Sequence, residues 1–114
     1  MGDSPLFIFL YYSKKENGIM KKVISIGEAL IDFIPQQKGV ALKDVEGFLR
    51  VPGGAPLNVA AAVAKLGGKA QMLTKLGIDG FGDAILEEVK PLGVDVSRVG
   101  RTNQANTALA FVSL

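Results

Sequence analysis

The chain has 114 residues, 48% hydrophobic and 21% charged, which is the length and composition of one globular domain. Its 13 basic and 11 acidic residues leave a net charge of +2 spread along the chain, with no concentrated basic face, which argues against nucleic acid as a partner. Cysteine and histidine are both absent, so disulfides, thiolate nucleophiles and imidazole ligands or bases are excluded and any acid–base work falls to carboxylates, lysines or tyrosines.

The opening stretch, "MGDSPLFIFLYYSKKENGIM", holds an apolar run from Leu6 to Tyr12, far short of the ~18 residues that span a bilayer. No basic segment precedes it and no A-x-A-like cleavage site follows, so no membrane partner is expected and the protein reads as cytoplasmic. Met20 stands directly before "KKVISIGEAL" and would serve as a start. Residues 1–19 are expected to be a disordered or upstream-derived extension without homology to the rest, and residues 20–114 to carry the fold.

Val23, Ile24 and Ile26, closed by Gly27, form a β-branched run suited to a strand buried on both faces. A second extended segment, Ala29 to Pro35, is apolar except for Asp32. "QQKGVALKDVEG" reads as a loop or hairpin excursion, after which "FLRVPGG" returns as a strand. Pro56 suits the first position of a helix, and Leu57, Ala60, Ala61 and Ala64 recur at helical spacing until Gly67-Gly68. Such alanines let a helix backbone lie close to a sheet. "KAQMLTKLG" is expected as one strand ending at Gly77, followed by a helix in "DGFGDAILEEVKPLG" with Asp79 or Gly80 as cap and a stop at Pro91-Leu-Gly93. "VDVSRVG", a turn "RTNQAN" and a strand "TALAFVSL" complete the chain, and Thr107 at the head of that strand would face either a ligand or solvent.

Strands alternating with helices predict an α/β fold with a mostly parallel sheet, which needs helices on both faces. Two helices cover it poorly, and the residues up to Leu114 still read as strand, so the expectation is the N-terminal part of a larger α/β protein.

The pair Gly53-Gly54 before a helix invites a phosphate-binding reading, which fails on chemistry. No lysine and hydroxyl follow as in a Walker loop, and the spacing G-G-A-P-L-N is not a dinucleotide fingerprint. Gly77-Ile-Asp-Gly80-Phe-Gly82 has the reverse spacing and an acid that would repel pyrophosphate. A backbone able to approach a ligand closely remains, beside helix N–H groups and the carboxamide of Asn58. An amide donates and accepts, so it suits the hydroxyls of a neutral polyol, and the Asp32 carboxylate would accept from two adjacent hydroxyls. Tight packing for the glycines, a helix-start role for Asn58 and a solvated Asp32 explain the same residues without a ligand. Asp79 and Asp83 are sufficiently explained by capping and dipole complementarity.

"GGAPLNVAAAVAKLGGKAQMLTKLG", "VISIGEALIDFIP", "GIDGFGDAILEEVKPLGVD" and "TALAFVSL" together resemble the ribokinase-like, or PfkB, carbohydrate kinases over Lys21 to Leu114, and within that family are most similar to fructokinases. The resemblance implies a Rossmann-like parallel sheet flanked by helices, a small β-sheet lid, and transfer of the γ-phosphoryl group of ATP, with Mg²⁺, to a sugar hydroxyl. By position it implies that Asp32, Gly53, Gly54 and Asn58 bind the sugar, that Phe33, Thr107 and Phe111 belong to the lid, and that the enzyme is a homodimer through that lid. Fructose is the expected substrate; 2-keto-3-deoxygluconate, ribose and nucleosides are used within the same family. The family's second signature, Asp-Thr-x-Gly-Ala-Gly-Asp, which carries the catalytic base, is not in these 114 residues. No catalytic residue and no metal ligand are therefore assigned here, and neither ATP nor Mg²⁺ is expected to bind this stretch well. A standalone sugar-binding or dimerising module is the competing reading, and a nucleotide-binding oxidoreductase a more distant one.

Overall fold

In the computed structural model, the structure describes the backbone of residues 7–15 and 18–114, and side chains from residue 21 onward. Among the described residues there are three sheets, two α-helices and two short 3₁₀ turns. The main sheet has the order β1 (Phe7–Lys15), β2 (Gly18–Ile26), β5 (Lys69–Leu73), β7 (Val94–Asp95), with β2, β5 and β7 parallel. The lid sheet has the order β4 (Phe48–Gly53), β3 (Leu30–Pro35), β9 (Ala108–Phe111). A third, two-stranded parallel sheet joins β6 (Lys75–Gly77) to β8 (Gly100–Thr102).

The helices follow their local sequence. Helix α1 spans Ala55–Lys65, with Pro56 one position later than expected, and buries Pro56, Leu57 and Ala60. Its first turn is held on β2 by Ser25, a fully buried residue whose hydroxyl donates to the Pro56 carbonyl at 2.7 Å. The helix stops where Gly67 N–H bonds Ala64 O and Gly68 N–H bonds Val63 O, the paired bonds of a Schellman turn. Helix α2 spans Gly80–Val89 with Asp79 as its N-cap, and it buries Gly82, Ile85 and Val89. The core unites both helices with the sheets through Ile31, Leu57, Ala60, Met72, Leu76 and Ile85.

Four expectations are corrected. Residues 7–15 are not disordered: they form β1, antiparallel to β2 from Phe7↔Ile26 to Lys15↔Gly18. The apolar, aromatic-rich run favours a strand, and pairing satisfies backbone groups along an edge of β2 that would otherwise stay open. The other residues of the 1–19 extension, apart from Gly18 and Ile19 in β2, lie outside the described residues. Val23, Ile24 and Ile26 are half-buried, not buried on both faces; alternation puts Ile24 and Ile26 opposite Ser25, away from α1. "KAQMLTKLG" is two strands, because the chain changes partner at Thr74, from β2 and β7 to β8, and the Thr74 carbonyl is taken by Gly100 N–H. Gly100–Thr102 extends into part of the expected turn as β8, leaving Thr102 Oγ1 to accept from Gln104 N–H at 3.0 Å.

The excursion between β3 and β4 contains a short 3₁₀ turn at Leu42–Asp44 and closes where Gln36 N–H meets Gly47 O. The hairpin register sets Asp32 opposite Val51 and Leu30 opposite Gly53, while parallel β9 sets Ala110 beside Asp32. Ile31 and Phe33 therefore share one face of the lid, packed on α2, and Leu30, Asp32 and Ile34 share the other. Ile31 has no exposed surface and couples the lid to the core. Ile31→Ala should lower the stability of the chain to urea by about 2–5 kcal/mol through the cavity it leaves; a loss below about 1 kcal/mol would mean that the lid is not fastened there.

Candidate acceptor site

At Gly53 the lid strand β4 ends against Asp32. A methyl group at Gly53 would run into Asp32 Oδ2 and lie 3.3 Å from the Leu30 side chain, so the space a side chain needs is already held by the carboxylate. At Gly54 the backbone takes φ +98°, and a methyl group would sit 2.7 Å from Glu28 O. Only glycine meets both conditions cheaply. Asp32, Gly53 and Gly54 thus form one continuous floor, with Asp32 half-buried on β3.

The α1 N-terminus opens beside this floor. Gly54 caps it without a side-chain bond, no acidic residue lies in the first turn, and Asn58 N–H closes the turn on Gly54 O at 3.0 Å. Asn58 itself is exposed and lines a groove of about 180 Å³ with Pro52, Ala61, Lys65, Glu88 and Leu92. Asp32 does not line that groove, so the structure joins Asn58 to the floor through the backbone of the turn.

The expected lid residues separate. Phe33 stacks on Phe111 with ring centres 4.8 Å apart and 11° between planes, and meets Phe81 of α2 edge-on at 5.7 Å. Phe48 completes this cluster against both Phe33 and Phe111. Thr107 immediately precedes β9 and is 4% exposed, so its hydroxyl does not face solvent. Its hydroxyl donates to Asp79 Oδ1 and accepts from Gly77 N–H, and its own N–H donates to Asp79 Oδ2.

Asp79 also accepts from Gly82 N–H, which confirms its capping role. Its carboxyl lies below the usual carboxylate range, chiefly because of the Thr107 N–H and then the Gly82 N–H. Arg101 was not singled out by the sequence; it donates to Gly77 O through Nε and Nη2 and to Asp83 at 2.8 Å. A cleft of about 490 Å³ lies beside this region between Arg50 and Asp79, Asp83 and Glu87. Its acidic wall suits no phosphate. Arg50 pairs with Glu88 at 3.5 Å, both exposed, a contact worth at most about 1 kcal/mol.

Among the described residues no cluster of three or more metal-ligating side chains would hold Mg²⁺. The α2 N-terminus, where phosphate oxygens could accept from N–H groups, is filled by Asp79 with Asp83 in the first turn. Among the described residues no helix is long and apolar enough to cross a membrane.

The model of the pfkB family of carbohydrate kinases matches residues 20–114. The chain belongs to the PfkB family. The chain is 47% identical over 98 residues to "Probable fructokinase-4" of Arabidopsis thaliana, covering 86% of this chain and 30% of that protein, and 49% identical over 92 residues to a fructokinase of Solanum tuberosum, covering 81% and 29%. Among solved structures it is similar to a sugar kinase of Pyrococcus horikoshii in complex with ATP, with TM-score 0.77, 43% identity and coverage of 80% of this chain and 30% of the other. A fructokinase of Xylella fastidiosa with bound ATP matches with TM-score 0.72 and 45% identity, over 82% and 29%. The chain therefore spans about 30% of the length of the relatives it matches. The PfkB match fixes the fold as ribokinase-like α/β.

Two outcomes follow from the geometry. Gly53→Ala should displace the Asp32 carboxylate, read as changed amide shifts at Leu30 to Phe33 with α1 unaffected; an unchanged Asp32 environment would count against the shared floor. Asp95, like Asp79, is held below the usual range, first by the Ser97 hydroxyl, then by the Ser97 N–H, and further by Lys22. Both carboxylates have depressed folded values, so the stability they contribute is present above their unfolded value near 4 and is lost as pH falls through the folded values. The urea midpoint should fall on acidification below about pH 4, and less steeply in Asp79→Asn; superimposable acid limbs would sink that assignment.

Proposed function

We propose that this chain is the acceptor-binding part of a cytoplasmic, fructokinase-like sugar kinase that uses ATP and Mg²⁺ to phosphorylate the 6-hydroxyl of D-fructose. The observation that carries this reading is the Asp32 carboxylate seated in the space left by Gly53, beside the uncapped start of α1. A carboxylate near free helix N–H groups suits a neutral polyol, whose hydroxyls donate to the first and accept from the second. Asn58 would add an amide to the same sugar from the start of α1. The similarity to plant and bacterial fructokinases supports fructose over other sugars, and the ATP complexes among the solved structures support ATP as donor.

On this reading the residues here orient the acceptor, and the base and the nucleotide and magnesium contacts belong to other parts of the kinase. Orientation is a large share of what a protein supplies to phosphoryl transfer. The open lid face, where Leu49 is 57% exposed, supports pairing of two lids in a homodimer.

The 114-residue chain alone should show no ATP-dependent phosphorylation of fructose, and turnover above a no-enzyme control would overturn that claim. In a chain completed with the rest of a PfkB kinase domain, Asp32→Ala should raise the fructose KM at least about tenfold and leave the KM for ATP within about twofold, since loss of a sugar contact acts selectively. Equal weakening of both would count against the assignment of Asp32.

A further inference from the structure

We propose that Asp79 is a positioning residue for the sugar-binding lid: through Thr107 it fastens β9, and through β9 it sets the height of β3 and of the Asp32 carboxylate. This rests on the sugar-site reading of Asp32 and deepens it.

The cap role of Asp79 needs one oxygen and one helix N–H, and the bond from Gly82 N–H to Oδ1 fulfils it. The structure shows more than a cap. Thr107 makes two further bonds to the same carboxylate, each 2.8 Å long, across 28 residues of sequence. Its hydroxyl also accepts from Gly77 N–H at 3.0 Å, the third bond of the set. Thr107 is buried, so removing a partner would leave polar groups without water to replace it.

The surroundings are built around this bond set. A methyl group at Gly77 would collide with Asp79 Oδ2 and lie 2.6 Å from Thr107 N; one at Gly82 would collide with Gly77 O and lie 3.0 Å from Thr107 Oγ1. Arg101 holds the Gly77 carbonyl from β8. The end of β6 and the start of α2 therefore meet at Thr107, the last residue before β9, and Arg101 braces the Gly77 carbonyl beside it.

From there the path to the site is short. β9 begins at Ala108, paired with Leu30, and two residues later Ala110 lies beside Asp32. Among the described residues β3 has no other parallel neighbour, so the outer support of Asp32 on that side is the strand that Thr107 anchors. A shift at Thr107 would move the edge of the lid relative to Gly53, which is fixed to α1 instead.

Amide hydrogen exchange on the 114-residue chain tests this, with Asp79→Ala, Thr107→Val and Thr107→Ser compared. Thr107→Val removes the hydroxyl and leaves α2 and its cap intact, and Thr107→Ser restores the hydroxyl. In Asp79→Ala and Thr107→Val, amides of Leu30–Phe33 and Ala108–Phe111 should exchange at least about tenfold faster relative to those of Val23–Ile26 and Lys69–Leu73, with Thr107→Ser close to the parent. Equal acceleration of lid and main sheet, or acceleration confined to the first turn of α2, would overturn the proposal and leave Asp79 a cap. If Asp79→Ala fails to fold, Thr107→Val against Thr107→Ser decides alone. Titration with D-fructose, read at the Asp32 and Gly53 amides, separates the two claims. No response in the parent chain, with the lid still released by Thr107→Val, counts against the sugar site and supports the fastening. A normal response that Thr107→Val leaves unchanged counts against the fastening alone.

Discussion

The turn at Gly53-Gly54 is the constraint on which the arrangement depends. Here the chain leaves a lid strand and enters the first helix of the body within two residues, and neither residue has room for a side chain. One vacant volume is filled by the Asp32 carboxylate, the other approached by the Glu28 carbonyl. A positive φ at Gly54 then sets the direction in which α1 leaves the turn. If any side chain stood at Gly53, the carboxylate would have to leave; if one stood at Gly54, the helix would start in another direction. The glycines look like a phosphate loop, but the carboxylate seated beside them opposes a bound anion.

The chain passes between lid and body at three described places: before Leu30, after Gly53 and before Ala108. Each is fastened differently. At the first, Gly27 N–H bonds Leu73 O at the end of β5. At the second the constraint is steric. At the third it is a set of charge-assisted hydrogen bonds from Thr107 to Asp79, stronger individually than neutral ones. Between these points the lid has its own aromatic cluster, and Phe81 and Ile31 press it on α2. A lid so held is tied to the body at each crossing.

Local chemistry made much of this legible in the sequence. Both helices lie within a residue or two of where their periodicity put them, because the Schellman turn at Gly67-Gly68 and the Asp79 cap are written in adjacent residues. Asp32 and the glycine pair were identifiable because their residue types are unusual for their positions. What the sequence did not disclose is non-local. Nothing near Thr107 says that its partner lies 28 positions earlier, and Arg101 sits in a polar run that reads as a turn. The break at Thr74 was hidden for a related reason: consecutive strand-forming residues do not reveal that their hydrogen-bond partners belong to different sheets.

The position of Asn58 sharpens what a sugar would have to do. Asp32 is carried by the lid, whereas Asn58 is carried by α1, which is fixed to β2 through Ser25 and Pro56. A ligand touching both would bridge two bodies joined by the Gly53-Gly54 turn, and its hydroxyls would bear on the angle between them. Differential affinity for one angle is the only way a ligand biases such an equilibrium. A polyol spanning a carboxylate and an amide has that capacity, since both contacts are short and directional. On the sugar-kinase reading, acceptor binding and the setting of the lid are then one event, and the residues that hold the lid edge contribute to orienting the hydroxyl without touching it.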